Sequence, residues 1–503
     1  MKKHYALLAC LLMILCACTP TESAEPAAPP DTADPSPTTA PPTVEEPTAS
    51  PSPTQALPPP VQTLNEGEGM QRPGPWLTFQ TDEGFFFVSQ DGTEVGMVPL
   101  SQDYFIANWI PAPAGGSLAC LKDNMVEKIL EVRSIPDNER LLQLNLSDYP
   151  GDPPAFVDEN TAYQYGVDRY SAVGQMRWSH QGDILAFVAS YLGPSPDVYT
   201  FDLRTGEISQ LTSGPFHAVY LNWSPDDRYI FHASVEEMFR ESSGSGYGGW
   251  VFYAASADGT EILQVAEGMK DRIEEHIVGW VDDTTILIAN GQWWCGLFNL
   301  RKIDIENSQE TTLWEGQFND IAYDPESQSA LVWVAPEDCQ EEGCGALSES
   351  GFYKVSGVDG RIDLIAESPK DVLLYSMDFE PAASSFIMET DSGWLVYENA
   401  SFTFSETQPI YSPDGNQVAQ LIEDWGSLVV QDLQGETQFE HQHDGVLLNP
   451  VWSPDSGVLF YFAENLEKDS FDLYRVDAAS YTSRLILEGR FSRYDNPPVW
   501  ALP

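Results

Sequence analysis

The sequence predicts an all-β protein, a β-propeller of four-stranded antiparallel blades. Three observations carry this expectation. A short motif recurs along the chain, a second hairpin follows it, and the copies are spaced as propeller blades are. The clearest copies run Trp223-Ser224-Pro225-Asp226-Asp227-Arg228 and Trp452-Ser453-Pro454-Asp455-Ser456-Gly457. A third is Tyr411-Ser412-Pro413-Asp414-Gly415, and a fourth is Trp178-Ser179-His180-Gln181-Gly182-Asp183. Degenerate copies start at Trp280 and Tyr323, and weaker ones at Phe379 and Trp109.

Each part of the motif has a physical task. An apolar strand ends in Trp or Tyr. Pro then fixes φ, Asp offers an acceptor to the backbone beyond it, and Gly permits positive φ. A second β-rich run follows, then another hairpin such as Val198 to Glu207 or Phe252 to Thr260. Strand, turn, strand, loop, strand, turn, strand makes one blade.

The anchors at 109, 178, 223, 280, 323, 379, 411 and 452 lie 32 to 69 residues apart. Near the C-terminus, Val499-Trp500 starts a unit that has no room to finish. The run from Trp76 to Pro99 supplies the missing later strands. The two ends are therefore expected to share a blade, which closes the ring and hides its sheet edges. The count is expected to be eight blades, with seven to nine allowed.

The Trp-Ser-Pro-Asp-Gly pattern resembles the TolB-type, WD-repeat-like propeller. It is also similar to the N-terminal propellers of the dipeptidyl peptidase IV and prolyl oligopeptidase families. The resemblance implies a fold, not a function, because these repeats serve binding, gating and scaffolding alike. Prolyl oligopeptidases also carry a hydrolase domain with a Gly-x-Ser-x-Gly elbow. This sequence has no such pentapeptide and no residues left for that domain. No catalytic residue is expected.

Outside the propeller, the N-terminus reads as an address. Lys2 and Lys3 precede an apolar run from Ala6 to Leu15, too short to span a bilayer alone. Leu15-Cys16-Ala17-Cys18 resembles the lipobox of a bacterial lipoprotein. The resemblance implies a signal peptide over 1–18 and a lipid on Cys18. Residues 19–75 hold 16 Pro and 9 Thr but no Lys or aromatic residue. Such a segment is expected to be a disordered stalk, with the propeller at 76–503. The expected place is the extracytoplasmic side of a cell membrane, at the cell surface or in a periplasm, held by the lipid alone.

Charge narrows the partners. Asp plus Glu number 77 against 24 Lys plus Arg, a formal net charge of −53. Nucleic acid and anionic lipid surfaces need clustered cations and are excluded as main partners. The acidic excess is dispersed and is read as solubility or salt adaptation.

The remaining candidates are few. Cys339 and Cys344 flank a polar insertion and suggest a disulfide clip in an oxidising place. Cys120 and Cys295 either bridge each other or are buried thiols. His441 and His443 share one face and are weak metal candidates without visible further ligands. No cofactor is expected, although separated acidic loops have the chemistry for calcium. The stretch from Arg240 to Trp250 reads as a flexible loop with Tyr247 and Trp250 as aromatic tips. The expected function is non-enzymatic: a protein-binding or scaffold module that presents one face to an envelope or extracellular protein or a cell-wall polymer. The alternative is a carbohydrate-binding or hydrolytic propeller with its site in the central channel.

Overall fold

Each clear copy of the repeat folds as the turn between the first and second strands of one blade. The computed structural model describes residues 64–66 and 74–501, apart from 82, 100–104, 124–127, 136–138, 147–173, 192–194, 215–216, 242–243, 269–273, 293–295, 336–348, 369–373, 423–424 and 493–497. Among the described residues the strands form nine sheets, eight of four strands and one of five. Nine blades stand within the expected range, one more than the eight favoured from the spacing.

The first strands are Phe105–Pro111 in blade 2, Met176–Trp178 in blade 3, His217–Trp223 in blade 4 and Glu274–Trp280 in blade 5. They continue with Asp320–Asp324 in blade 6, Leu374–Glu380 in blade 7, Ile410–Tyr411 in blade 8 and Leu447–Trp452 in blade 9. Within each of these blades the four strands run in chain order and pair antiparallel, and neighbouring first strands pack around the axis. Every anchor, weak ones included, therefore sits in the first strand of a blade.

Blade 1 is the composite. Its innermost strand, Val499–Ala501, pairs antiparallel with Trp76–Gln80, and Gly84–Ser89 and Val95–Pro99 follow outward. The Thr78 hydroxyl donates to the Val499 carbonyl at 2.8 Å, across 421 residues of sequence. Leu77, Phe79 and Phe86 of this blade share an apolar cluster with Phe460, Phe462 and Phe491 of blade 9. A further strand, Leu64–Glu66, lies parallel to Val95–Met97 on the outer edge. The sheet thus extends into the stretch expected to be stalk.

The turns show why the motif has its residues. In Ser224-Pro225-Asp226, the Ser224 hydroxyl donates to Asp226 Oδ1 at 2.8 Å and accepts the Tyr229 N–H at 3.0 Å. Asp226 Oδ1 also accepts the Arg228 N–H at 3.1 Å. The same three bonds recur around Ser412 and Asp414, and around Ser453 and Asp455. The serines are fully buried, so the turn leaves no orphaned hydroxyl. Gly415 at φ +67° and Gly182 at φ +71° occupy left-handed backbone that glycine adopts without strain.

The tryptophans join one blade to the next. Trp178 Nε1 donates to the Ile110 carbonyl at 3.0 Å, and Trp223 Nε1 to the Arg177 carbonyl at 3.1 Å. Trp452 Nε1 donates to the Ile410 carbonyl at 3.0 Å, and Trp280 Nε1 to Asn222 Oδ1 at 2.7 Å. In each case the acceptor belongs to the residue next to the preceding blade's own anchor. Trp109 is the exception: it packs edge-on against Phe85 of blade 1 at 4.9 Å, and its buried Nε1 has no partner among the described residues.

Trp223 is 3% exposed and couples both effects. Trp223→Ala is expected to cost about 3–5 kcal/mol through lost burial and a cavity. Trp223→Phe keeps much of the bulk but strands the Arg177 carbonyl, at about 1–3 kcal/mol. Urea unfolding of the two variants beside the parent checks the order.

Candidate functional site

Antiparallel pairing gives the ring two unlike ends. The Ser-Pro-Asp turns and the third-to-fourth strand turns, such as Ser256 to Glu261, lie at one end. The second-to-third strand connections and the crossings between blades lie at the other. We refer to these as the turn face and the loop face. Three cavities among the described residues open on the loop face.

One cavity, about 560 Å³, lies against the first strands of blades 2 to 5 and so lines the central channel. Its polar wall includes Asn108, Gln175, Arg177, Asn222 and His276. Three of the strands beside it carry irregularities in register, between Ile106 and Asn108, Val219 and Asn222, and Ile277 and Gly279. Tyr220 sits on the second of these at φ +58°. Its N–H donates to Gln175 Oε1 at 2.7 Å, and its exposed ring stacks on Trp250 at 5.4 Å and 9°.

That contact alters the expectation for 240–250. Tyr229–Glu241 and Gly244–Ser256 form one long antiparallel hairpin, paired as far as Glu241 and Gly244. Trp250 is 1% exposed in the blade 4 core, so it is not an exposed tip. The stacked aromatic that reaches the cavity is Tyr220. Tyr247 pairs with Met238 in the hairpin, and its side chain lies outside the described residues.

A second cavity, about 510 Å³, lies where blades 7, 8 and 9 meet the closing strand. Trp394, Trp425, Leu448, Pro450 and Pro498 give it apolar walls, and Glu406, Gln408 and Asn449 supply polar groups. Trp425 is 55% exposed and held at φ +71°, its carbonyl accepting the Leu447 N–H at 2.8 Å. Asn449, at φ +48°, occupies the register irregularity of blade 9.

The third cavity, about 730 Å³, lies between blades 8 and 9 and includes His443, Asp444 and Glu464. His443 Nε2–H donates to the Glu464 carbonyl at 2.7 Å, which leaves this nitrogen committed to the backbone. The His441 ring packs against Tyr461 and Tyr474, and burial followed by His443 lowers its pKa. Among the described residues no group of three or more His, Cys, Asp or Glu side chains is placed to hold a metal ion. The two histidines are thus brought together with aromatic rings, not with further ligands.

Two carboxyls on this face are strongly perturbed. Burial pushes Asp197 up to about 6, opposed by hydrogen bonds from Ser195, Thr212 and Gln210. Burial also pushes Asp320 up to about 6, and Asp378 of the next blade adds to the effect. Asp320 accepts the Ile321 N–H at 2.8 Å and a backbone N–H from Met377, so it ties blade 6 to blade 7. Both carboxyls serve the junctions between segments.

The cysteines require a correction. No disulfide occurs among the described residues. Cys120 is a free thiol at 5% exposure, and burial pushes its pKa up to about 12, so it is an inert apolar filler. Cys18, Cys295, Cys339 and Cys344 lie outside the described residues. The repeat residues Trp178, Trp223, Pro225, Asp226, Pro413, Asp414, Trp452, Pro454 and Asp455 lie at or next to the turn face, away from the cavities. Sequence reasoning missed Tyr220, Trp394, Trp425 and Asn449, which carry no motif.

No described protein family matches the sequence, and no curated protein matches it. Solved structures match in fold. A eukaryotic initiation factor aligns at TM-score 0.51 and 11% identity, covering 85% of this chain and 98% of that one. Dipeptidyl peptidase 4 from Porphyromonas gingivalis aligns at TM-score 0.47 and 11% identity, covering 75% of this chain and 59% of that one. The β-propeller domain of the Trilobed protease from Pyrococcus furiosus aligns at 0.40 and 11%, covering 77% and 99%. The chain spans 49% of the length of a matching prolyl endopeptidase. This chain is a β-propeller similar in fold to these proteins.

Asp197 gives a pH test. An unfolded Asp titrates near 3.9, whereas the folded one titrates at about 6. Well below pH 4 the carboxyl is neutral in both states and costs nothing. Stability then falls as pH rises towards about 6, where the cost levels off. Asp197→Asn is therefore expected to raise Tm at pH 8 and to raise it far less at pH 4, read by thermal melts at both values.

Proposed function

We propose that this chain is a lipid-anchored, extracytoplasmic binding module that engages an envelope protein or a cell-wall polymer through its loop face, without catalysis. The observation that carries this reading is the gathering of the three cavities on one end of the ring. Exposed Tyr220, Tyr375 and Trp425 lie at the same end. Large aromatics in partly open pockets are the usual anchors of recognition.

The attachment supports the same reading. Leu64 pairs with Val95 just after the Asp91-Gly92 turn, so the N-terminal segment meets the propeller at the turn face. A tether that joins there leaves the loop face unobstructed. The lipid on Cys18 then supplies the membrane contact. No helix among the described residues is long and apolar enough to cross a membrane. The net charge of −53 disfavours polyanionic partners.

Two measurements test the reading. Cys18→Ala is expected to move the chain from the membrane fraction to the soluble fraction; retention in the membrane would refute the anchor. A photo-cross-linking residue at Tyr220 or Trp425 is expected to capture a partner in cells, whereas one at Thr205 on the turn face is not. Equal capture at both ends would refute the assignment of the binding face.

A further inference from the structure

We infer that the cavity between Trp394 and Trp425 is a subsite for an uncharged pyranose oligosaccharide. The inference rests on the binding-module reading and names the ligand class of one of its cavities. Its first support is the conformation of Trp425. A bulky residue at φ +71° is a backbone outlier that persists only where its surroundings enforce it. Here the Leu447 N–H holds the Trp425 carbonyl at 2.8 Å, and the result is an indole left 55% exposed at the cavity.

The second support is the polar complement. Gln408 and Asn449 line the cavity, and neither side chain has a partner among the described residues. Asn449 is half-exposed and Gln408 exposed, so both amides are open to a ligand. Amides both donate and accept, and Glu406 adds an acceptor. A pyranose matches this set: its C–H face lies on an aromatic ring while its hydroxyls reach amide and carboxylate groups at the edge.

The third support is charge. The described lining contains one carboxylate, Glu406, and no Lys, Arg or His. Such a wall disfavours uronates, phosphates and sulfated sugars. The volume of about 510 Å³ lies within the usual range for small-ligand sites.

The test uses the full-length chain in detergent, titrated calorimetrically with cellotetraose, maltotetraose and chitotetraose. A peptide copying residues 51–60, which is Pro-rich, is run in parallel because aromatic grooves also take polyproline II. At least one tetrasaccharide is expected to bind. Trp425→Gly suits the positive φ and removes the indole, so it should fold and weaken binding on the order of tenfold or more. Trp425→Phe should retain most of the affinity, and Thr205→Ala, on the turn face, should retain all of it. The inference is overturned if no tetrasaccharide binds, if Trp425→Gly binds as the parent does, or if only the peptide binds. Loop-face cross-linking in cells would survive such a failure, so the two readings fail separately.

Discussion

The ring depends on an indole N–H reaching across to the neighbouring blade. A four-stranded sheet cannot bury both faces by itself, so each blade must pack on the next. Apolar packing supplies most of that driving force but does not fix the angle or the register. The bonds from Trp178, Trp223 and Trp452 to main-chain carbonyls do fix them, because each requires one strand to stand at one height against its neighbour. Where the anchor changes, the contact changes with it. Trp280 uses the Asn222 side chain, and Trp109 at the seam relies on ring packing alone.

The fold was legible because these contacts use residues with few substitutes. Trp, Ser, Pro and Asp at fixed offsets are hard to produce by chance. The weak copies were harder to read because the turn needs an acceptor, not a particular residue. Asp282 accepts the Thr284 N–H, Asp324 accepts the Glu326 N–H, and Glu380 accepts the Ala382 N–H. These carboxylates stand in for the Ser-Pro-Asp set, so blades 5, 6 and 7 keep the geometry without the spelling. The cavities were not legible at all. Tyr220 and Asn449 matter because each sits on a register irregularity, and Trp425 matters because of its backbone angle. No local pattern marks any of the three.

The acidic composition also acquires a partial structural account. Many aspartates bond backbone N–H groups within turns, as Asp202, Asp432 and Asp477 do beside the repeat copies. Such bonds favour the charged form and hold carboxyls low; Asp414 falls to about 2, chiefly through the Ser412 hydroxyl. A turn-rich architecture therefore draws on Asp for its corners. Part of the charge excess is the by-product of having so many hairpins.

The composite blade has a consequence for how the chain is made. Trp76–Gln80 is among the first strands to emerge during synthesis, yet its inner partner, Val499–Ala501, follows more than four hundred residues later. Until then one face of the strand pair built on Leu77 and Phe79 has nothing to rest on, since Phe460, Phe462 and Phe491 are also late. Local hairpins can form as they appear, but the circle stays open with an unpaired edge. If the chain is exported in an extended state, as the lipid-anchor proposal implies, closure would belong to the far side of the membrane, and shielding of that nascent edge would fall to the export and holding machinery.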